Sequence, residues 1–217
     1  ICTTPQHTYI TTGKREIMVI PVNISLRVAC ESHIEHVNVR IMKKTFTEMT
    51  DKSVVLLDVG GTFVKGGLAD STGELADGLT WQVPIRSDGS RKEILESLEK
   101  SLREGIMKSK EPGMSVVGLA ATFPGPFDYN AGVPLMTHKF ADIYGMDLKK
   151  WFKGIAGKDF KVSFVHDVNA QLSGEMFHGA GTGYKNVCVI TLGTGLGFAF
   201  SIDGKIQYSS TASPARS

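Results

Sequence analysis

The chain has 217 residues, enough to bury a substantial core as one large domain or two small ones. Hydrophobic content of 41%, charged content of 21% and 24 glycines fit a globular α/β protein with many tight turns and exclude a disordered or fibrous one. The formal net charge of +2 comes with no run of Lys or Arg, so no nucleic-acid partner is expected and small-molecule chemistry is favoured.

Cys2, Cys30 and Cys188 are odd in number and far apart, which allows neither a disulfide framework nor a zinc ribbon and points to a reducing cytoplasm. No stretch reaches the roughly 18 continuous apolar residues of a membrane helix, and the first residues lack the order of a signal peptide, so neither membrane insertion nor export is expected. Residues 1–52 carry the Thr-rich "TTPQHTYITTG" and a short "IMVIPV" run without a sustained helical or strand period, and are expected to be an N-terminal extension that carries none of the function. Since the chain opens on Ile1 and "MKKTFTEMTDKS" from Met42 reads as a start just before a strand, residues 1–41 are expected to be non-native upstream sequence.

A first domain is expected over 53–165. In it "VVLLDV" is a short buried strand, "TFVKGGLAD" a second, and "STGEL" the turn toward a third around "GLTWQVPI". "SRKEILESLEKSLREGIMKSK" follows as an amphipathic helix, with Ile94, Leu98, Leu102 and Ile106 at i+4 spacing and Ser90 and Glu93 as a capping box. "EPG" stops it. "SVVGLAA" is a further strand and "TFPGPFD" a rigid loop. "KVSFVHD" then reads as a strand, "VNAQLSGEMFHGA" as a helix and "NVCVITLGTGLGFAFSIDGKIQY" as a hairpin, so that a second domain opens over 166–208 and 209–217 is a tail.

That hairpin repeats the first one. At a constant offset of 133, Val54, Val55, Leu56 and Leu57 fall on Val187, Cys188, Val189 and Ile190, and Gly60 falls on Gly193. Each copy runs strand, Gly/Thr turn, strand, and a tight glycine turn, which suggests an internal duplication with a cleft between its halves.

The chemistry concentrates in these turns. In "DVGGT", Gly60 and Gly61 let the backbone bend so that consecutive N–H groups point at one anion, and the Thr62 hydroxyl adds a donor. Asp58, at the carboxyl end of its strand, would repel phosphates unless a Mg²⁺ ion, held through water, lay between them. Lys65 either lends a cation or faces solvent. A P-loop or a dinucleotide-binding turn is excluded, because these glycines lead into a strand where those motifs open a helix. "LGTGLG" offers a second set of backbone donors at Gly193, Thr194 and Gly195. Taken alone, either motif also reads as a plain hairpin turn.

Residues 53 to about 208 resemble the N-terminal part of a ROK-family sugar kinase, of the hexokinase–actin superfamily. "LLDVGGTFVKGGLAD" and "ITLGTGLGFAFSIDGK" resemble its two phosphate motifs, and "FPGPFD", "HKF" and "DLKKWF" the stretch between them. The resemblance implies a ribonuclease H-like mixed sheet with flanking helices, a second domain that is incomplete here, and ATP with Mg²⁺ as cofactors. It makes Asp167, in "FVHDVNA", the catalytic base that takes a proton from a sugar hydroxyl as that oxygen attacks the γ-phosphorus. Without the flanking motifs Asp167 reads as a helix cap.

Sugar contacts are expected from Pro124, Gly125 and His166, and more remotely from Asn130 and His138. His166 stands where family members commonly carry Asn, which leaves the sugar open between a hexose and an N-acetylhexosamine. The family's zinc motif and its downstream Glu and His are absent, so weak or no turnover is expected, and a homodimer of the full-length parent stays open. A sugar-responsive transcription regulator is the alternative, although residues 1–52 show no helix-turn-helix pattern. An acetate kinase or polyphosphate phosphatase is disfavoured by "FPGPFD" and "HKF".

Overall fold

The computed structural model describes residues 8–12, 15–21, 52–70, 73, 75–110, 114–192 and 196–214. In chain order they form β1 (Thr8–Thr12), β2 (Arg15–Pro21), β3 (Lys52–Val59), β4 (Phe63–Ala69), β5 (Leu75–Pro84), α1 (Arg91–Lys108), β6 (Ser115–Phe123), β7 (Phe127–Asp128), β8 (Val133–Pro134), α2 (Leu148–Ala156), β9 (Lys161–His166), α3 (Asp167–His178), β10 (Val187–Leu192), β11 (Leu196–Ile202) and β12 (Lys205–Ile206). The chain divides into two units, 37–165 and 1–36 with 166–217.

In the first unit, β3, β4 and β5 form an antiparallel meander, and β6 returns parallel to β3 after the α1 crossover. The sheet order is β5-β4-β3-β6-β9. Strand alternation sorts β3: Ser53, Val55, Leu57 and Val59 are buried, while Asp58 is exposed on the opposite face. α1 covers the buried face with Ile94, Leu98 and Leu102, each contributing about 1.5–3 kcal/mol by burial. Its start is the expected capping box, with the Ser90 N–H donating to Glu93 Oε2 at 2.8 Å.

The Trp81 indole fills the space between sheet and helix. A Cβ on Gly66 would lie 2.0 Å from its ring, and one on Gly105 of α1 would lie 2.7 Å from it. Only glycine leaves room for the ring at these two positions.

α2 has no counterpart among the elements expected from sequence. Asp147 caps it by accepting the Lys150 N–H at 2.8 Å, Leu148 and Phe152 are its buried anchors, and Gly157, at φ 113°, ends it. Phe152 joins Phe123, Phe127, Phe140 and Phe164 in an aromatic cluster with ring centroids 4.9–6.3 Å apart, which fixes the chain on either side of the turn at Pro124.

The second unit has the sheet order β1-β2-β10-β11-β12. Residues 8–12 and 15–21, within the expected N-terminal extension, pair as a hairpin, and β2 runs antiparallel to β10 with Val19 opposite Val189. Their Thr, Ile and Val residues suit a pleated surface, and pairing with β10 satisfies backbone groups that a lone strand edge would expose. α3 packs on β10 and β11 through Val168, Leu172, Val187, Val189 and Ala199. Residues 209–214 of the expected tail close in a turn onto Tyr208, which bridges Pro214, and the Ser209 N–H donates to the Ser213 carbonyl at 2.8 Å.

Candidate functional site

Strand register brings three candidate side chains together at the carboxyl end of β3. Asp58 lies opposite Lys65 on β4 and opposite Thr122 on β6, so the three form a row on the face turned away from α1. The Thr122 hydroxyl donates to Asp58 Oδ1 at 2.7 Å. Sequence reasoning missed Thr122, whose only signal is a hydroxyl ending a strand just before "FPG". Asp58 is exposed and has one oxygen oriented by Thr122, an arrangement that suits a Mg²⁺ ion keeping most of its water, since such an ion takes one or two carboxylates and completes its shell from phosphates.

The turn after Asp58 is fastened from beneath. The Gly60 N–H donates to the Phe63 carbonyl at 3.0 Å, and the Thr62 and Gly61 carbonyls accept from Ile85 at 2.9 Å and Ser87 at 3.1 Å. Ser87 in turn accepts the Phe140 N–H. The Gly60 donor is therefore used within the turn. The consecutive N–H groups of Gly61 and Thr62 bond to nothing among the described residues and remain available as donors.

Pro124 and Gly125 follow Thr122 off the same end of β6. They are held between Phe123 and Phe127, which are buried, and the Tyr129 hydroxyl donates to the Phe123 carbonyl at 2.8 Å. Asn130 and His138 are exposed, and the Asn130 carbonyl accepts from the Lys149 ammonium.

β9 ends on His166, and α3 opens on Asp167. His166 Nδ1 lies 2.8 Å from Asp167 Oδ1, whereas the Val168 N–H is 3.3 Å from that nitrogen and 2.8 Å from the same Oδ1. Two bare acceptors at 2.8 Å would repel, so Nδ1 carries a proton and donates to Oδ1, where the Val168 N–H also closes. Asp167 is thus both a first-turn anion at a helix start and a carboxylate oriented by its neighbour, with a side chain 43% exposed and open to a reactant. Gly193, Thr194 and Gly195 lie outside the described residues, which resume at Leu196, the partner of Leu192.

Among the described residues no group of three or more His, Cys, Asp or Glu side chains is placed to hold a metal ion, and no helix is long and apolar enough to cross a membrane.

A mixed sheet opening on a β-meander, a helix crossover and a glycine turn after Asp58 define the hexokinase–actin class of fold. The chain belongs to the ROK family, which residues 54–211 match. It is 32% identical over 164 residues to a glucokinase of Halalkalibacterium halodurans, covering 74% of this chain and 47% of that protein. The solved structure of a ROK glucokinase from Streptomyces griseus in complex with glucose and AMPPNP superposes with a TM-score of 0.58 at 26% identity, over 72% of this chain and 46% of that one. A ROK transcriptional regulator, a homologue of the E. coli MLC protein, shares the fold with a TM-score of 0.63 at 16% identity, over 76% of this chain and 40% of that one. The chain spans about half the length of the curated relatives it matches.

Proposed function

We propose that this chain carries the phosphoryl-donor turn and the catalytic base of an ATP-dependent kinase acting on a hydroxyl of a hexose or N-acetylhexosamine. The observation that carries the reading is the row Lys65, Asp58, Thr122 beside a fastened turn with two unused N–H groups. Gly61 and Thr62 bind phosphate oxygens through the backbone, Lys65 adds a cation, and Asp58 holds the water shell of Mg²⁺ while Thr122 keeps its carboxylate in place. Mg²⁺, when bound, neutralises charge on the phosphate chain. Gly60 shapes the first turn, and Gly193, Thr194 and Gly195 belong to the same proposal as a second set of phosphate donors.

Asp167 takes the proton of the sugar hydroxyl, and the Nδ1–H of His166 fixes the carboxylate for it. Pro124, Gly125 and His166 border the sugar. ATP as donor sets the reaction in the cytoplasm, and a homodimer of the full-length parent belongs to the same proposal.

The fold alone does not choose between enzyme and regulator, because both occur on it. The choice rests on the carboxylates. The test is titration of the purified chain with Mg·ATP, together with a panel of glucose, mannose, N-acetylmannosamine and acetate as acceptors. Expected is ATP binding that Asp58→Ala abolishes, and weak sugar phosphorylation that Asp167→Asn lowers by about 10²–10⁴-fold. A chain that binds no nucleotide, or that prefers acetate, would sink the reading.

A further inference from the structure

We infer that Lys139 and Ser87 complete the Gly61 turn as a clamp on the phosphate chain of the phosphoryl donor, an inference that rests on the donor-site reading above. The point where a Cβ on Gly61 would sit lies 3.3 Å from Ser87 Oγ and 3.9 Å from Lys139 Nζ, so a hydroxyl and an ammonium stand beside the residue that opens the pair of unused N–H groups. Both side chains are held there by backbone. Ser87 donates its N–H to the Gly61 carbonyl and accepts the N–H of Phe140, the residue after Lys139, whose own side chain is fully buried.

Among the described residues Lys139 forms no ion pair and the Ser87 hydroxyl no hydrogen bond. The nearby acids are committed elsewhere: Asp88 and Glu93 pair with Arg86 at 3.4 and 3.8 Å, and Asp142 accepts from the Arg91 backbone and presents its carbonyl to the Arg91 guanidinium. A cation without a counter-anion, a free hydroxyl and two backbone donors around one glycine fit an external multivalent anion. The chemistry named is a phosphate chain, supplied by a nucleotide or by inorganic polyphosphate.

The experiment is calorimetric titration of the 217-residue chain with Mg·ATP and, separately, with Mg·tripolyphosphate. Lys139→Met should weaken both by about tenfold and Ser87→Ala by about threefold, whereas Lys139→Arg keeps most of the affinity. Lys153→Met, on α2, should change neither, and circular dichroism confirms that each variant is folded. Wild-type binding that Lys139→Met and Ser87→Ala leave unchanged overturns the clamp and leaves the donor-site reading standing. A Lys139 effect on ATP but not on tripolyphosphate overturns it as well, by moving the contact to base or ribose. A wild-type chain that binds neither ligand removes the donor-site reading together with the clamp.

Discussion

The hairpins β3–β4 and β10–β11 both run from an apolar strand through a glycine-bearing turn into a second strand, and they end in different surroundings. In the first, Val59 and Val64 flank the turn at 4% and 0% exposure, β5 and β6 pair on either side, and residues 85–87 fasten the turn carbonyls. In the second, the flanking Leu192 and Leu196 are 51% and 72% exposed, and β11 has only the two-residue β12 beyond it. Four residues separate Val59 from Val64, and three separate Leu192 from Leu196. Similar apolar strands thus do not fix how firmly a hairpin is braced, and the precision of a backbone anion site comes from what holds its turn down.

The contrast breaks most sharply at the glycines inside the strands. Gly66→Ala drives a methyl group into the Trp81 ring at 2.0 Å and should cost about 3 kcal/mol or more in urea unfolding followed by circular dichroism. Gly197→Ala meets Thr191 Oγ1 at 2.6 Å and Val168 Cγ2 at 2.7 Å, both side-chain ends that can turn aside, and should cost about 1–2 kcal/mol. Equal losses would mean that the two hairpins are equally braced.

At the turn-flanking pairs, Val64→Ala should cost about 2 kcal/mol and Leu196→Ala less than about 0.5 kcal/mol in the same assay. A large loss at Leu196 would show that its surface is covered in solution.

The smallest effect belongs to the cap of α1. Hydrogen bonds from Ser90, with a lesser contribution from Arg86, hold the Glu93 carboxyl below its ordinary 4.5. A depressed carboxylate stabilises the fold above its unfolded pKa and loses that contribution as pH falls through the lower folded value. Between about pH 5 and pH 3, wild type should therefore lose slightly more melting temperature than Glu93→Gln. Parallel curves would remove Glu93 from the cap.

What the sequence made legible follows from how local the signal is. The α1 period and its capping box are each read within a few residues and the structure places them as expected, whereas in the "DVGGT" turn the Gly60 N–H, expected to face an anion, donates to Phe63. Thr122 reaches Asp58 only through parallel register across 64 residues, and Lys139 reaches Gly61 through a chain of backbone bonds, so neither contact shows in any window. α2 was readable from Asp147 ahead of Leu148 and Phe152, but nine residues give a short period. The strands at 8–21 depend on β10 as partner, which their own composition does not name.

The glycine-lined slot for Trp81 has an optical corollary. The chain holds two tryptophans, Trp81 and Trp151, and both belong to the unit 37–165. Indole emission therefore watches one half of the polypeptide, whereas the five tyrosines fall in both, Tyr129 and Tyr144 in 37–165 and Tyr9, Tyr184 and Tyr208 in the other. Heating the chain while recording indole emission beside the far-ultraviolet circular dichroism that both halves share would reveal whether they melt as one or in succession.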